Sequence, residues 1–155
     1  MVGPVGYERE YHSELRALAG ADVVFTGGQY GDQYQVLSRH ALAFIMPATI
    51  EATRLVLLDQ MGFGSAIVYR ECPASREVVG EAGLAFGGQD PVLELEAMLD
   101  RILENPGMLE YYRQGARERA RDCFDWNQVT DVYVRILNEL IQSPESKTRQ
   151  ALARK

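Results

Sequence analysis

Two acids, Glu51 and Asp59, stand eight positions apart in the stretch PATIEATRLVLLDQMGFG, residues 47–64. Glu51 follows a short apolar run and precedes a helical pattern. An acid at such a junction is poorly placed for core packing and well placed to accept hydrogen bonds from hydroxyls. Asp59 lies within the helix expected to begin near Ala52. There Leu55 and Leu58 are expected on the inward face, with Asp59 next to Leu55 at i+4. Two carboxylates so spaced can address two hydroxyl-bearing parts of one elongated ligand. The same spacing also suits an acid that favours the positive end of a helix dipole, followed by a solvated aspartate. Spacing alone leaves both readings open.

The elements that position these acids read as βα units. Short apolar runs at 22–26 (DVVFT), 41–46 (ALAFIM), 66–69 (AIVY) and 84–86 (LAF) are expected to be strands. Such runs suit a parallel sheet covered on both faces. Helical patterns separate them at 8–19, 32–40 and 52–61, the first carrying Tyr11, Leu15 and Leu18. Asp90 followed by Pro91 marks the start of a further helix with an apolar stripe of Val92, Leu95, Met98, Leu99, Ile102 and Leu103. Asn105-Pro106 restarts the chain as a helix with Leu109, Tyr112, Ala116, Ala120 and Cys123 on one side. Asp125 caps the next, whose Val129, Val132, Tyr133, Ile136, Leu137 and Leu140 are expected to face inward. Open parallel sheets bind ligands beyond the carboxyl ends of their strands. The loops that qualify are 26–30, 47–51 and 70–73, carrying Gln29, Glu51 and Arg70 among others. His12 and His40 fall on helical stretches instead and read as surface or structural residues.

Composition narrows the function classes. The chain has 155 residues, 46% hydrophobic and 25% charged, as in an ordinary soluble domain. No apolar run approaches the roughly 20 residues that span a bilayer. The first residues carry Pro, Gly and charge rather than a signal peptide's apolar core, so a cytoplasmic location is expected. Cys72 and Cys123 lack disulfide or metal-ligand spacing and read as reduced thiols, and no metal or cofactor is expected. The net charge is −6, and a basic tail (Lys147, Arg149, Arg154 and Lys155 against Glu145) leaves the rest more acidic still. That balance argues against nucleic-acid binding. Residues 143–155 are expected to form a flexible tail with at most peripheral contact to an anionic membrane.

The segment around Glu51 resembles the donor-binding motif of the retaining, family 4 glycosyltransferases of GT-B fold. That motif runs approximately Pro-Ser-x-x-Glu-Gly-x-x-Pro-x-Leu-Leu-Glu-Ala-Met-x-x-Gly, and Pro47, Glu51, Leu57, Leu58, Met61 and Gly64 match it. Farther on, Glu77-Val78-Val79-Gly80-Glu81-Ala82-Gly83-Leu84 is similar to the family's Glu-Val-x-Gly-x-Ala-Gly-Leu. Gln89-Asp90-Pro91 and the 119–126 helix junction resemble it as well. The resemblance covers the chain from Val2 to about Ile141.

The resemblance implies an α/β, Rossmann-like parallel sheet flanked by helices, the C-terminal half of a GT-B enzyme with its first βα unit missing. Residues 1–142 are then a nucleotide-sugar-binding domain. Glu51 is expected at the transferred sugar of a nucleotide-diphosphate sugar and Asp59 at the ribose. Backbone N–H groups of Ala52, Thr53 and Arg54 are expected to face the diphosphate. The implied reaction is glycosyl transfer to an acceptor hydroxyl with retention, in polysaccharide or glycoconjugate synthesis. Ala52 stands where relatives carry Gly, and Asp59 is one methylene shorter than their Glu. Arg54 reads either as a phosphate-gripping residue or as a surface arginine. The family's acceptor domain and its Arg–Lys clamp on the diphosphate have no counterpart in the chain, apart from Arg54 or Arg76 as substitutes for the clamp. The chain alone is therefore expected to be weakly active or inactive, and to meet an N-terminal acceptor domain or to self-associate. The competing expectation is a non-catalytic α/β interaction or regulatory module derived from that fold. A receiver or flavodoxin-like domain fits poorly, because Asp22 begins its apolar run instead of following it.

Overall fold

The computed structural model describes residues 1–3, 9–49 and 55–142. The chain divides into two compact units, Met1–Leu42 and Ala43–Lys155, each with its own internal packing. The basic tail at 143–155 lies outside the described residues.

In the first unit, helix α1 (Arg9–Leu18) precedes an extended segment and helix α2 (Gly31–His40) follows it. The 22–26 run was expected to be a strand, and it is not one among the described residues. It is nonetheless aligned with the first residues of the chain. The Met1 amino group donates to the Val24 carbonyl, Thr26 N to Met1 O at 3.1 Å and Gly3 N to Gly27 O at 3.0 Å. So short a partner supports a few backbone bonds and no regular ladder. Phe25 anchors the segment beneath α1, with the Arg16 guanidinium carbon 4.7 Å from its ring centroid and the His12 ring edge-on at 5.7 Å. His12 is therefore structural, while His40 sits exposed in the last turn of α2, where a cation suits the helix dipole. Of the apolar residues in α1, Leu15 is half-buried and Leu18 is exposed.

The second unit is built on a three-stranded sheet in the order β1 (Phe44–Met46), β2 (Ile67–Arg70), β3 (Leu84–Phe86). Both pairings are parallel, with Phe44 opposite Ile67 and Val68 opposite Leu84. Helix α3 (Leu55–Phe63) lies between β1 and β2 in the chain. Helix α4 (Pro73–Val79) and a 3-10 turn (Gly80–Ala82) lie between β2 and β3. Parallel neighbours need such crossovers, because no tight turn can return the chain to the same end of the sheet. Alternation along β2 then decides the packing. Ile67 and Tyr69 enter one apolar cluster with Leu57 and Met61 of α3, Val79 of α4 and Ala116. Ala66 and Val68 enter a second cluster with Phe86, Ile102 and Leu109. Both faces are covered, which is why β2 is apolar throughout its buried part.

Three helices complete the unit: α5 (Pro91–Glu104), α6 (Leu109–Phe124) and α7 (Trp126–Gln142). The sequence caps are in place. Asp90 accepts hydrogen bonds from Val92 N and Leu93 N, and Asp125 from Asn127 N at 2.9 Å. The α5 stripe is buried through Ile102 and half-buried through Leu95, Met98 and Leu99, but Val92 and Leu103 are exposed. In α6, Leu109 and Ala116 are buried, while Cys123 is exposed. The inward-facing expectation fails for α7. No residue of this helix is buried, and Tyr133 and Leu140 are 65% and 60% exposed. Its stripe is real, but among its residues only Val129 is even half-buried.

Two turns hold the helices to the sheet. Gly64 ends α3 with φ +74°, and the Arg117 guanidinium of α6 occupies the space that a Cβ would need. At Gly83 a Cβ would fall 2.8 Å from the Ile67 carbonyl oxygen, so only glycine lets the chain pass β2 into β3. Arg119 donates from Nε to Val78 O and from Nη2 to Glu77 O, both at 2.7 Å, and so caps the last turn of α4. Replacement of Gly64 by Ala is expected to lower unfolding free energy by about 1–3 kcal/mol, from backbone strain and displacement of Arg117. Urea denaturation of the two proteins measures this, and an unchanged midpoint would refute the assignment.

Candidate functional site

The polar side of the second unit is the carboxyl edge of its sheet. Met46 pairs with Tyr69, and Arg70 with Phe86, so the three strands end at nearly one level. Their outgoing segments begin there: Pro47 after β1, Glu71 after β2 and Gly87 after β3. In a parallel sheet this edge is where the backbone leaves its ladder and polar groups can face a ligand.

From β1 the chain runs through Pro47, Ala48 and Thr49. Glu51, Ala52, Thr53 and Arg54 lie outside the described residues. The described part of α3 begins at Leu55 and carries Asp59, which is exposed. The inward face of this helix differs from the sequence expectation. Leu57, Gln60 and Met61 are buried, Leu58 is half-buried, and Leu55 is 59% exposed. Leu55 and Asp59 therefore share the outer side, and the carboxylate is accessible to a ligand. Gln60 takes the buried place behind it, its Oε1 accepting from Ser65 Oγ at 2.7 Å. That bond satisfies a buried amide which would otherwise destabilise the turn.

At the end of β2, Glu71 N donates to Phe86 O at 2.7 Å, which ties the outgoing segment to β3. The Glu71 carboxylate pairs with Arg76 Nε at 2.9 Å. Cys72 Sγ donates to Ser75 Oγ at 3.3 Å, and Tyr69 donates its phenol proton to Gly80 O at 3.3 Å. Burial pushes the Tyr69 phenol up, and the nearby Glu71 charge adds to that. At the end of β3, Gly87 N and Gly88 N both donate to Glu94 Oε2 at 2.7 Å. These two bonds, with the Arg70 charge as a lesser influence, hold the Glu94 carboxyl below the usual carboxylate range. The Glu94 tie was not evident in the sequence. An acid in a first helical turn ordinarily reads as a dipole partner, and only the Gly-Gly pair before Asp90 hints at more. Among the described residues no group of three His, Cys, Asp or Glu could hold a metal ion. Among them, no helix is long and apolar enough to cross a membrane.

A family model for glycosyl transferases group 1 matches residues 1–105. The chain belongs to that family. Among curated members, the MMP alpha-(1->4)-mannosyltransferase of Mycolicibacterium hassiacum is 30% identical over 130 residues, 82% of this chain and 32% of that protein. The sulfoquinovosyl transferase of Arabidopsis thaliana is 27% identical over 126 residues, 77% of this chain and 24% of that protein. The fold is also found in sucrose-phosphate synthase from Thermosynechococcus elongatus, with a TM-score of 0.71 at 23% identity. That match covers 86% of this chain and 34% of the synthase. HepE from Anabaena, solved in complex with UDP and glucose, gives 0.74 at 19% identity over 89% of this chain and 39% of HepE. This group 1 glycosyltransferase chain thus spans a third or less of its curated relatives. Its three-stranded parallel sheet and flanking helices are the Rossmann-like arrangement of GT-B glycosyltransferases.

The Glu94 tie has a pH signature. Its folded carboxyl titrates below its unfolded value, so its contribution is full above the unfolded pKa, about 4.3. It is lost as pH falls through the lower folded value. Glu94→Gln is therefore expected to unfold at a lower urea midpoint than the parent protein at pH 7, and the difference should shrink towards pH 3. A difference that stays constant over that range would show that the tie is not electrostatic.

Proposed function

We propose that this chain forms the donor side of a glycosyltransferase, holding a nucleotide-diphosphate sugar at the carboxyl edge of its sheet. The observation that carries this reading is the placement of Asp59, exposed on α3 just past the segment that leaves β1. In this reading Glu51 contacts the transferred sugar and Asp59 accepts hydrogen bonds from the ribose hydroxyls. Backbone N–H groups at Ala52, Thr53 and Arg54 face the diphosphate, as the positive end of a helix does for an anion. The glycosyl group passes to an acceptor hydroxyl with retention of configuration, in polysaccharide or glycoconjugate synthesis in the cytoplasm. Departure of the diphosphate is stabilised by fixed donors and positive charge. The relatives' additional length is consistent with an acceptor-binding half supplied from outside the 155 residues, and residues 1–142 act as the donor domain.

A second reading is a non-catalytic interaction or regulatory module, favoured by one observation, the exposed apolar side of α7. A contiguous apolar stripe of this size on a soluble protein marks a contact surface. The basic tail adds at most peripheral membrane contact.

Titration with UDP, GDP and dTDP and their sugars, followed by NMR and calorimetry, separates the two. Donor binding predicts saturable shifts at α3 with one nucleotide, and a loss of about tenfold or more in affinity for Asp59→Ala, the effect of deleting a charged hydrogen-bond partner. Silence to every nucleotide at millimolar concentration, with self-association unchanged in Glu51→Ala, would select the interaction module.

A further inference from the structure

A diphosphate brings several negative charges, and the segments leaving the three strands offer few cations. Among their described residues, 47–49, 71–76 and 87–90, Arg76 is the sole basic residue, joined by Arg70 at the end of β2. Arg76 faces an internal carboxylate, and Arg70 lies near a second. Arg76 pairs with Glu71 at 2.9 Å, with side chains 69% and 35% exposed. Arg70 lies beside Gly87 and is a lesser charge influence on Glu94, whose carboxylate is seated on the Gly87 and Gly88 amides at 2.7 Å. These groups are contiguous. A Cβ built on Gly87 would lie 3.0 Å from the Glu71 Cβ and 3.7 Å from Arg70 Nε.

Resting on the donor-site reading, we infer that Arg70 and Arg76 form the cationic grip on the ligand's diphosphate, and that Glu71 holds Arg76 in reserve until the anion displaces it. An exposed carboxylate–guanidinium pair is weak in water. A phosphate offers the guanidinium bidentate bonds and more charge, so exchange of partners favours the ligand. The register supports the placement. Met46 is level with Tyr69, so the segment leading from β1 towards Glu51 departs beside Arg70. Glu94 stays on its two amides, keeping the β3 segment in place while Arg70 turns to the anion.

The test uses the full chain with sodium pyrophosphate and with UDP, read by NMR of the arginine side chains and by calorimetry. Arg76→Gln is expected to weaken both ligands about tenfold, the effect of losing one charged hydrogen-bond donor. Glu71→Gln is expected to tighten both about threefold, because it releases Arg76. Arg76 is exposed and Glu71 half-buried, and matching unfolding midpoints will confirm that each variant is folded. Removing the Glu71 charge by itself favours a nearby anion, so the gain is expected to vanish in the Glu71→Gln, Arg76→Gln double variant, and a gain that persists there overturns the inference. Pyrophosphate that leaves Arg70 and Arg76 unshifted, or a Glu71→Gln protein that binds no more tightly, overturns the inference. If UDP binds and Arg76→Gln does not weaken it, the inference falls while the donor-site reading stands. If pyrophosphate behaves as expected but uridine adds no affinity and Asp59→Ala has no effect, the arginine grip stands and the nucleotide reading falls.

Discussion

The second unit depends on the burial of both faces of β2. Ile67 and Tyr69 go to one apolar cluster, Ala66 and Val68 to the other. Ile67 and Val68 each contribute about 1.5–3 kcal/mol when removed from water. With both faces committed to packing, no side chain in the buried part of the strand is free for chemistry. Polar function is pushed to the strand ends, where Arg70 is the first residue of β2 to be only half-buried. The location of the candidate site is thus a consequence of how the sheet is covered.

That edge is held by carboxylates and backbone amides in short-range pairs. Glu94 takes the Gly87 and Gly88 amides, Glu71 takes Arg76, and the Glu71 amide bonds across to Phe86. Behind it, Arg119 caps α4 and Arg117 lies against Gly64, so α6 locks both crossovers from the far side. The result is an edge whose outgoing segments are tied by hydrogen bonds and which carries exposed charge.

Much of this was legible in the sequence, for local reasons. Asp90-Pro91 and Asp125 announced helix starts, because capping is decided by a few neighbouring atoms. The runs at 66–69 and 84–86 read as strands because both-face burial leaves them uniformly apolar. The inward face of α3 was misread. Leu55, Val56, Leu57 and Leu58 are all apolar, so periodicity could not separate Leu57 from Leu55. The direction of the α7 stripe failed for another reason. Spacing shows that a helix is amphipathic and says nothing of what lies opposite. The 22–26 run met a third difficulty, since strand propensity does not supply a pairing partner. Glu51 lies outside the described residues.

Helix α7 has a consequence of its own. It has 17 residues, rich in the β-branched and aromatic types that are weak helix formers: Val129, Val132, Tyr133, Val134 and Ile136. A helix of that length and composition is marginal in water unless packing supports it. In this unit none of its side chains is buried. Covering its apolar side would therefore stabilise the helix itself. A surface that covered this helix would also supply free energy that keeps it wound, so the affinity of such a contact would include the cost of ordering the segment.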